Sequence, residues 1–415
     1  MLFHPFLLAV AGAVTASPLV ARTGSHVTLP LARHFNLTGG AAAILAHDRA
    51  RARAFKTGFL AQDAGIPVPA ANDVTSYTVQ VEISGSPRTY NLLVDTGSSN
   101  TWAGANTLGN PYSPDPSCLL PQPKIVNVTY GSGSFEGVLC HETITIGGDT
   151  GLNVPGQGVA AATASSGFSG VDGILGIGPT DLTEGTIVGS PTESIPTVTD
   201  NAFALGLINE RAVGVFFAPT QSGGNPGELT FGGADASKFA APLTYVPITT
   251  TSPANQYVGI DQTIAYGSAR SQILPLTAGI VDTGTTLLLI ASDAFALYQA
   301  ATGAVEDSAT GLLKITPTQY ENLESLFFTI GTATFVFTKD AQIWPRALNT
   351  AIGGDAESIY LIVGDLRTSS GAGLDFIDGM SFLQRFYTVY DSTPGANRFG
   401  IATTEFTAST SNYGS

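Results

Sequence analysis

A mainly β (all-β class) molecule with two related lobes and only short helices is what this sequence predicts, on three observations. The first is a duplicated turn. Leu93-Val94-Asp95-Thr96-Gly97-Ser98-Ser99 and Ile280-Val281-Asp282-Thr283-Gly284-Thr285-Thr286 each run two aliphatic residues into Asp-Thr-Gly and leave through a hydroxyl pair. An apolar run entering Asp and leaving through Gly reads as a buried strand that turns sharply and presents one carboxylate at its end. The second is composition: 48 Gly and 24 Pro with only 12% charged residues favour short strands and turns over long helices. The third is length, since 415 residues exceed one ordinary domain and the two turns are far enough apart to mark a duplicated lobe.

At the N-terminus, Phe6-Leu7-Leu8-Ala9-Val10-Ala11-Gly12-Ala13-Val14 followed by Thr15-Ala16-Ser17 has the apolar stretch and small-residue exit of a secretory signal peptide over residues 1–17. Its opening residues offer His4 and no Lys or Arg, and a buried N-terminal helix is the alternative. No later stretch approaches the roughly 18 apolar residues of a membrane span. Residues 407–415 are polar and lack the tail of a lipid-anchor signal. A secreted, extracellular monomer with no membrane partner is the expectation.

Residues 18–65 read as a removable pro-segment. Between Pro18 and Ala70, six basic residues (Arg22, Arg33, Arg49, Arg51, Arg53, Lys56) meet two acids (Asp48, Asp63), a net charge of +4. From residue 71 onward, 11 Lys and Arg meet 30 Asp and Glu, a net charge of −19. An Ala- and Arg-rich stretch over residues 41–59 is suited to cover an acidic cleft; a solvated linker is the blander alternative. So acidic a body excludes nucleic acid as a partner, because phosphate binding needs clustered Lys and Arg. It suits acidic surroundings, where protonation relieves self-repulsion.

Residues 66–250 are assigned to an N-terminal lobe and 251–415 to a C-terminal lobe, with the junction near residues 245–255. The connector Gly65-Ile66-Pro67-Val68-Pro69 leads into an alternating strand over residues 77–83. Thr129-Tyr130-Gly131-Ser132-Gly133-Ser134-Phe135, between strand-like residues 124–128 and 136–146, reads as a hairpin with a Gly-Ser-Gly tip. Helical signals are short: residues 292–301, with a Ser cap, and residues 200–207. Gly223-Gly224-Asn225 and Gly353-Gly354-Asp355 read as surface loops. Cys118 and Cys140 fit an oxidising compartment if bonded, and closing that loop would contribute about 3 kcal/mol. They are not mirror-related about the hairpin tip, so a plain cross-strand bridge is not expected, and two buried thiols are the alternative.

Elimination narrows the chemistry. Of the five histidines, His4, His26, His34, His47 and His141, only the last belongs to the body. A Ser-His-Asp triad would depend on it, with no Gly-x-Ser-x-Gly elbow in company. Zinc wants about four His or Cys ligands, which the body does not supply. Carboxylates remain as acid and base, and no metal or cofactor is expected.

Val94-Asp95-Thr96-Gly97-Ser98-Ser99-Asn100-Thr101-Trp102, Tyr130-Gly131-Ser132-Gly133, Asp172-Gly173-Ile174-Leu175-Gly176 and Val281-Asp282-Thr283-Gly284-Thr285-Thr286 resemble, in order and spacing, the pepsin-like aspartic endopeptidases over residues 71–406. Ser194-Ile195-Pro196-Thr197-Val198-Thr199-Asp200-Asn201 and Gln342-Ile343-Trp344-Pro345-Arg346-Ala347-Leu348-Asn349 are similar to a secreted basidiomycete subgroup of that family. The resemblance implies a bilobal acid-protease fold, two β-barrel-like lobes with a cleft between them. It implies an autoactivating zymogen that cleaves protein and peptide substrates at acidic pH, prefers apolar residues beside the cut bond, and is blocked by pepstatin-type inhibitors and by its own pro-segment.

Residue by residue, it implies Asp95 and Asp282 as the catalytic pair. Thr96 and Thr283 would interlock the two loops, Ser98 and Thr285 would supply hydroxyls to the carboxylates, and Gly97 and Gly284 would allow close backbone approach. Tyr130, Gly131 and Ser132 would form the flap over substrate, with Trp102 as hydrogen-bonding partner of Tyr130 and Thr286 as a further substrate-binding residue. Ile174-Leu175-Gly176 and Ile377-Asp378-Gly379 resemble the elements that pass behind each loop. Two carboxylates within hydrogen-bond distance cannot both ionise easily and share a proton, a rule for which aspartic proteases are the standard instance. One then takes a proton from an attacking water while its protonated partner bonds the developing oxyanion.

There are departures from the family pattern. Pepsins commonly carry Asp directly after the second Gly, where this chain has Met380, with an acid instead at Asp378, which bears on the pH optimum. The family's usual disulfides are absent. Among the basic residues of the pro-segment, Lys56 is the best candidate to contact the catalytic pair. Asn127-Val128-Thr129 is a glycosylation sequon, as is Asn36-Leu37-Thr38.

Taken alone, one Asp-Thr-Gly is a turn whose Asp bonds nearby backbone, and Tyr130 and Trp102 are core aromatics; order and spacing set them apart. Two other readings compete. An actin-like ATPase also presents Asp-x-Gly-Thr-Thr loops to phosphates, but the signal peptide and the scarcity of Lys and Arg oppose nucleotide binding. A catalytically inactive pepsin homologue, acting as a binding or inhibitor protein, would be expected to have lost an Asp, and both remain.

Overall fold

The computed structural model describes residues 26–35, 39–57, 75–105, 109–116, 122–148, 151–219 and 226–414. The signal stretch, the Asn36 sequon, Cys118, the connector Gly65-Ile66-Pro67-Val68-Pro69 and the loop Gly223-Gly224-Asn225 lie outside the described residues. Cys140 is buried in the strand Gly133–Ile146.

Strands dominate. An eight-stranded sheet is built from the first half of the body together with Ala32–Phe35, a seven-stranded sheet from the second half, and a six-stranded sheet from both halves together with Val27–Pro30, Ala212–Phe217 lying beside Phe386–Asp391. In the first sheet Thr75–Ile83 pairs with Thr89–Asp95 and also with Gly133–Ile146, which curls the sheet back on itself. The local sequence explains the pattern. Ile125–Tyr130 alternates apolar and polar side chains and buries every second one, whereas the continuous apolar run Ala212–Phe217 is buried on both faces. The predicted hairpin is present, pairing Ile125–Tyr130 with Gly133–Ile146.

Three local expectations change. The helix near residue 292 spans Ser292–Thr302, but its N-cap is Ala291 with no side-chain cap; Ser292 Oγ instead donates to Asp365 Oδ1 at 2.7 Å. The helix near residue 200 begins earlier, at Val198, because Thr197 and Asp200 form a reciprocal capping box that places Asp200 inside the first turn. Finally, helices are not all short: residues 41–59, read only as an Ala- and Arg-rich cover, hold an 18-residue helix, Gly40–Thr57.

That helix follows from its composition. Seven alanines cost little in helix propensity, and Lys56 in the last turn suits the negative end of the dipole. Its start is pinned to the second half of the chain by Ala41 N–H donating to Ile352 O at 2.9 Å. Ile44, Asp48, Arg51 and Phe55, spaced at four, three and four, form one wholly buried stripe. The strands before it are woven in as well, Val27–Pro30 against Gly227–Phe231 and Ala32–Phe35 against Thr75–Ile83.

Candidate active site

Two internally similar frameworks converge. Asp95 ends a strand lying parallel to Gly173–Gly176, which is also paired with Trp102–Ala103. Asp282 follows a strand lying parallel to Phe376–Asp378, which is also paired with Leu288–Ile290. Each acid therefore leaves the end of a buried strand backed by a second one, and both are fully buried.

The loops lock together by a symmetric exchange. Thr96 N–H donates to Thr283 Oγ1 and Thr283 N–H to Thr96 Oγ1, both at 3.0 Å. Each hydroxyl then donates across the interface, Thr96 Oγ1 to Val281 O at 3.3 Å and Thr283 Oγ1 to Val94 O at 2.9 Å. Gly97 N–H reaches Asp95 Oδ1 at 3.1 Å and Gly284 N–H reaches Asp282 Oδ1 at 3.3 Å. Ser98 Oγ donates to Asp95 Oδ2 at 2.5 Å and Thr285 Oγ1 to Asp282 Oδ2 at 2.6 Å. Glycine is required at both turns by space: a Cβ on Gly97 would lie 2.6 Å from Asp282 Oδ1, and one on Gly284 would lie 2.7 Å from Asp95 Oδ1. Those two clearances also show how near each carboxylate stands to the opposite loop.

Above the pair the Tyr130 ring is buried, its hydroxyl oxygen accepting from Trp102 Nε1 at 3.1 Å, with Phe135 stacked near it and Phe168 packed at right angles to it. Burial pushes the Tyr130 phenol well up. Ser132 lines a small cavity of about 30 Å³ shared with His34, His47 and Tyr130. Gly131 presses on the helix Gly40–Thr57 so closely that a Cβ there would come within 2.1 Å of Ala50 O. Thr286 N–H is occupied by Asp48, and its buried hydroxyl makes no hydrogen bond among the described residues. Asn127 is exposed on its strand, away from this centre.

A cation sits between the carboxylates. It is Arg51, not Lys56, whose ammonium bonds Thr368 Oγ1 instead. Arg51 Nε and Nη2 reach Asp282 Oδ2 and Oδ1 at 2.6 and 2.9 Å, and Nη2 also bonds Asp95 Oδ1. The helix period accounts for the difference, since residues five apart point about 140° apart around the axis and Lys56 cannot share the buried stripe. Burial alone would lower the Arg51 guanidinium; the two carboxylates outweigh it and raise it. At Asp282 burial pushes the carboxyl up, but the Arg51 charge and hydrogen bonds prevail and hold it below its ordinary value. Asp95 is raised, by burial first and by the Asp282 charge besides.

The same helix brings two contacts that residue-level reading missed. Asp48, wholly buried, accepts from Thr286 N–H at 3.1 Å and from Leu287 N–H at 2.9 Å, in the loop just beyond Asp282. Phe55 packs on the Arg51 guanidinium and edge-on against Tyr257, whose hydroxyl donates to Phe55 O at 3.3 Å. Tyr257 also borders a groove of about 880 Å³ lined by Pro179, Asp181, Glu184 and Tyr390. A four-three-four spacing of Ile44, Asp48, Arg51 and Phe55 was the signal available in the sequence.

Paired, buried acids on interlocked Asp-Thr-Gly loops under an aromatic-tipped hairpin define an aspartic-type endopeptidase, and residues 76–404 match the family model described as eukaryotic aspartyl protease, so the chain belongs to that family. It is 57% identical to polyporopepsin of Irpex lacteus over 346 residues, covering 83% of this chain and 99% of that protein. It is 29% identical to gastricsin of Cavia porcellus, over 79% of this chain and 80% of that one. The crystal structure of the aspartic proteinase from Irpex lacteus superposes with a TM-score of 0.74 at 55% identity, over 81% of this chain and 96% of that one, so the fold is the bilobal pepsin-like one. The ATPase reading falls with that assignment, and the inactive-homologue reading, which expected a lost Asp, is opposed by Asp95 and Asp282 both standing buried on the interlocked loops.

Proposed function

We propose that the chain is the precursor of a secreted acid endopeptidase in which Asp95 and Asp282 activate the hydrolytic water and residues 18–65 hold the enzyme inactive. Residues 1–17 act as the signal peptide, and 66–250 and 251–415 form the two lobes. The observation that carries this reading is Arg51, which occupies the space between both carboxylates. A peptide could not reach them with the guanidinium in place, and a carboxylate bonded to Arg51 cannot serve as a base. Asp48 blocks the Thr286 and Leu287 N–H groups at the same time, and the flap tip at Gly131 rests on the helix where substrate would lie.

Once the helix leaves, the two acids lose their cation and share a proton. The ionised member takes a proton from a bound water, which attacks the peptide carbonyl; the protonated member donates to the oxygen that becomes negative. The proton then passes to the leaving nitrogen. Ser98, Thr285 and the Gly97 and Gly284 amides keep each carboxylate oriented, and Tyr130 with Ser132 closes over the peptide and excludes water. Substrate lies extended along the groove beside Tyr257, the flap adding main-chain hydrogen bonds.

Acidification of the purified precursor tests this. Pepstatin-sensitive proteolysis is expected to appear together with loss of the N-terminal segment, and an Asp95→Asn precursor is expected to stay intact. A mutant precursor that matures unaided would show that self-processing is wrong.

A further inference from the structure

The second lobe carries a buried carboxyl that the proposed chemistry does not use. Asp378 ends the strand Phe376–Asp378 opposite Val281, the residue immediately before Asp282. The same register position in the first lobe, opposite Val94 and behind Asp95, is Leu175. One repeat thus places an apolar side chain behind its loop and the other places an acid, and Asp378 is 0% exposed. Gln262, also fully buried, donates from Nε2 to Asp378 Oδ1 at 3.2 Å. The remaining oxygen of each group, Asp378 Oδ2 and Gln262 Oε1, is buried with no hydrogen-bond partner among the described residues.

Two leftover acceptors beside a single hydrogen bond are costly. One proton resolves both, because a hydrogen on Oδ2 turns that oxygen into a donor and Gln262 Oε1 is the acceptor left over. We propose that Asp378 is held as a neutral carboxylic acid paired with the Gln262 amide, that it positions the Asp282 loop through its own main chain, and that its ionisation sets the upper pH limit of the folded enzyme. The main-chain link is Asp282 N–H donating to Asp378 O at 3.1 Å. Nothing in this depends on the role of residues 18–65, since Asp378 and Gln262 both belong to the body.

The titratable groups on elements packed against Asp378 are Asp282 after the strand Ser271–Val281, Asp261 and Tyr266 on the Gln262 strand, and Asp375 before its own strand. The strand Leu288–Ile290 and the helix Met380–Leu383 carry none. Asp261 is exposed and accepts from Thr249 Oγ1, and Asp375 accepts from Thr277 Oγ1 and the Gly371 and Ala372 amides. None of these is a cation. Burial pushes the Asp378 carboxyl up to about 8, with the Gln262 hydrogen bond opposing. An unfolded Asp titrates at about 3.9. Between those values the folded protein holds a proton that the unfolded chain has lost; this stabilisation is complete below the lower value and lost as pH rises through the upper one.

Thermal unfolding of the full chain and of its D378N variant, followed from about pH 6 to 9, tests the assignment. Asn replaces a neutral acid nearly atom for atom, offers its amide to Gln262 Oε1 and cannot ionise. D378N is expected to melt above the wild type already at about pH 6, because the unfolded wild-type Asp is ionised there, and by a margin that widens towards about pH 8 and then levels off. D378L copies Leu175 but leaves Gln262 unpaired; it should melt below D378N at the acidic end and show the same reduced alkaline fall. Parallel curves for wild type and D378N would overturn the proposal. So would a D378N chain that fails to fold, because an isostere of a neutral acid should be accepted.

Discussion

Arg51 and Asp282, 231 residues apart in sequence, meet in a two-pronged ion pair with Nε–Oδ2 at 2.6 Å and Nη2–Oδ1 at 2.9 Å. Both side chains are almost completely shielded from solvent. In that setting, deleting one member leaves the other charge uncompensated, at a cost of about 3–5 kcal/mol. Arg51→Ala should therefore loosen the helix from the body. Peptide hydrolysis by the uncleaved precursor near neutral pH is expected to rise at least about tenfold, a change equivalent to about 1.4 kcal/mol. Arg51→Lys, which keeps the charge but not the planar fork, should fall between wild type and Ala.

Asp48 anchors the same helix from the opposite sign of charge. Its two contacts with the Thr286 and Leu287 amides are hydrogen bonds to a charged group, each contributing about 1.5–3 kcal/mol. Asp48→Asn retains one acceptor oxygen without the charge and is expected to speed precursor conversion at a fixed acidic pH by about tenfold or more, which a gel time course reads directly. If residues 18–65 are removed on activation, as proposed, the enzyme released from wild-type and variant chains should be identical in kcat/KM, because residue 48 would leave with them.

The pH dependence of release follows from Asp282. Its carboxyl is held below its ordinary value by Arg51, against the upward push of burial. A lowered value stabilises the docked state above the unfolded value of about 3.9 and loses that contribution as pH falls through the lower, folded value. Docking should thus be insensitive to Asp282 near neutrality and weaken on acidification. Stopped-flow pH jumps on the intact precursor, with pepstatin binding as the signal, should show site opening that accelerates below about pH 4.

Tyr130 is held by the Trp102 indole and two phenylalanine rings. Tyr130→Phe removes one hydrogen bond, worth about 1 kcal/mol, and should cost a few-fold in kcat/KM. In the flap role proposed for it, Tyr130 supplies the closing surface, so Tyr130→Ala is expected to cost at least about tenfold while the protein still melts cooperatively. Proteolysis at the wild-type rate by the Ala variant would remove Tyr130 from the flap.

Much of the architecture was legible because it is repeated. Asp95 and Asp282 could be paired from sequence since each sits in the same seven-residue pattern, and strands such as Ile125–Tyr130 announce themselves by alternation. The region before the body was harder to read. Its helix carries Asp48 and Arg51 at buried positions where a periodicity search expects apolar residues, so the stripe that also holds Ile44 and Phe55 is masked by its charges. Lys56 looked suitable by proximity along the chain, but a helix sorts residues by angle. The Asp378–Gln262 contact joins two strands 116 residues apart, and no local pattern could disclose it. The missing cap at Ser292 is similar in kind: Asp365, distant in sequence, captures the hydroxyl that a helix start would otherwise use.

The central claim is that the two acids of the interlocked loops act together on one water. Steady-state hydrolysis of a peptide substrate by mature wild-type and Asp282→Asn enzyme, with pepstatin titration of both, tests it most directly. Loss of about three or more orders of magnitude in kcat for the variant, with wild-type activity abolished at one inhibitor per enzyme, is the predicted result. An Asp282→Asn enzyme that cleaves within about tenfold of wild type would contradict it.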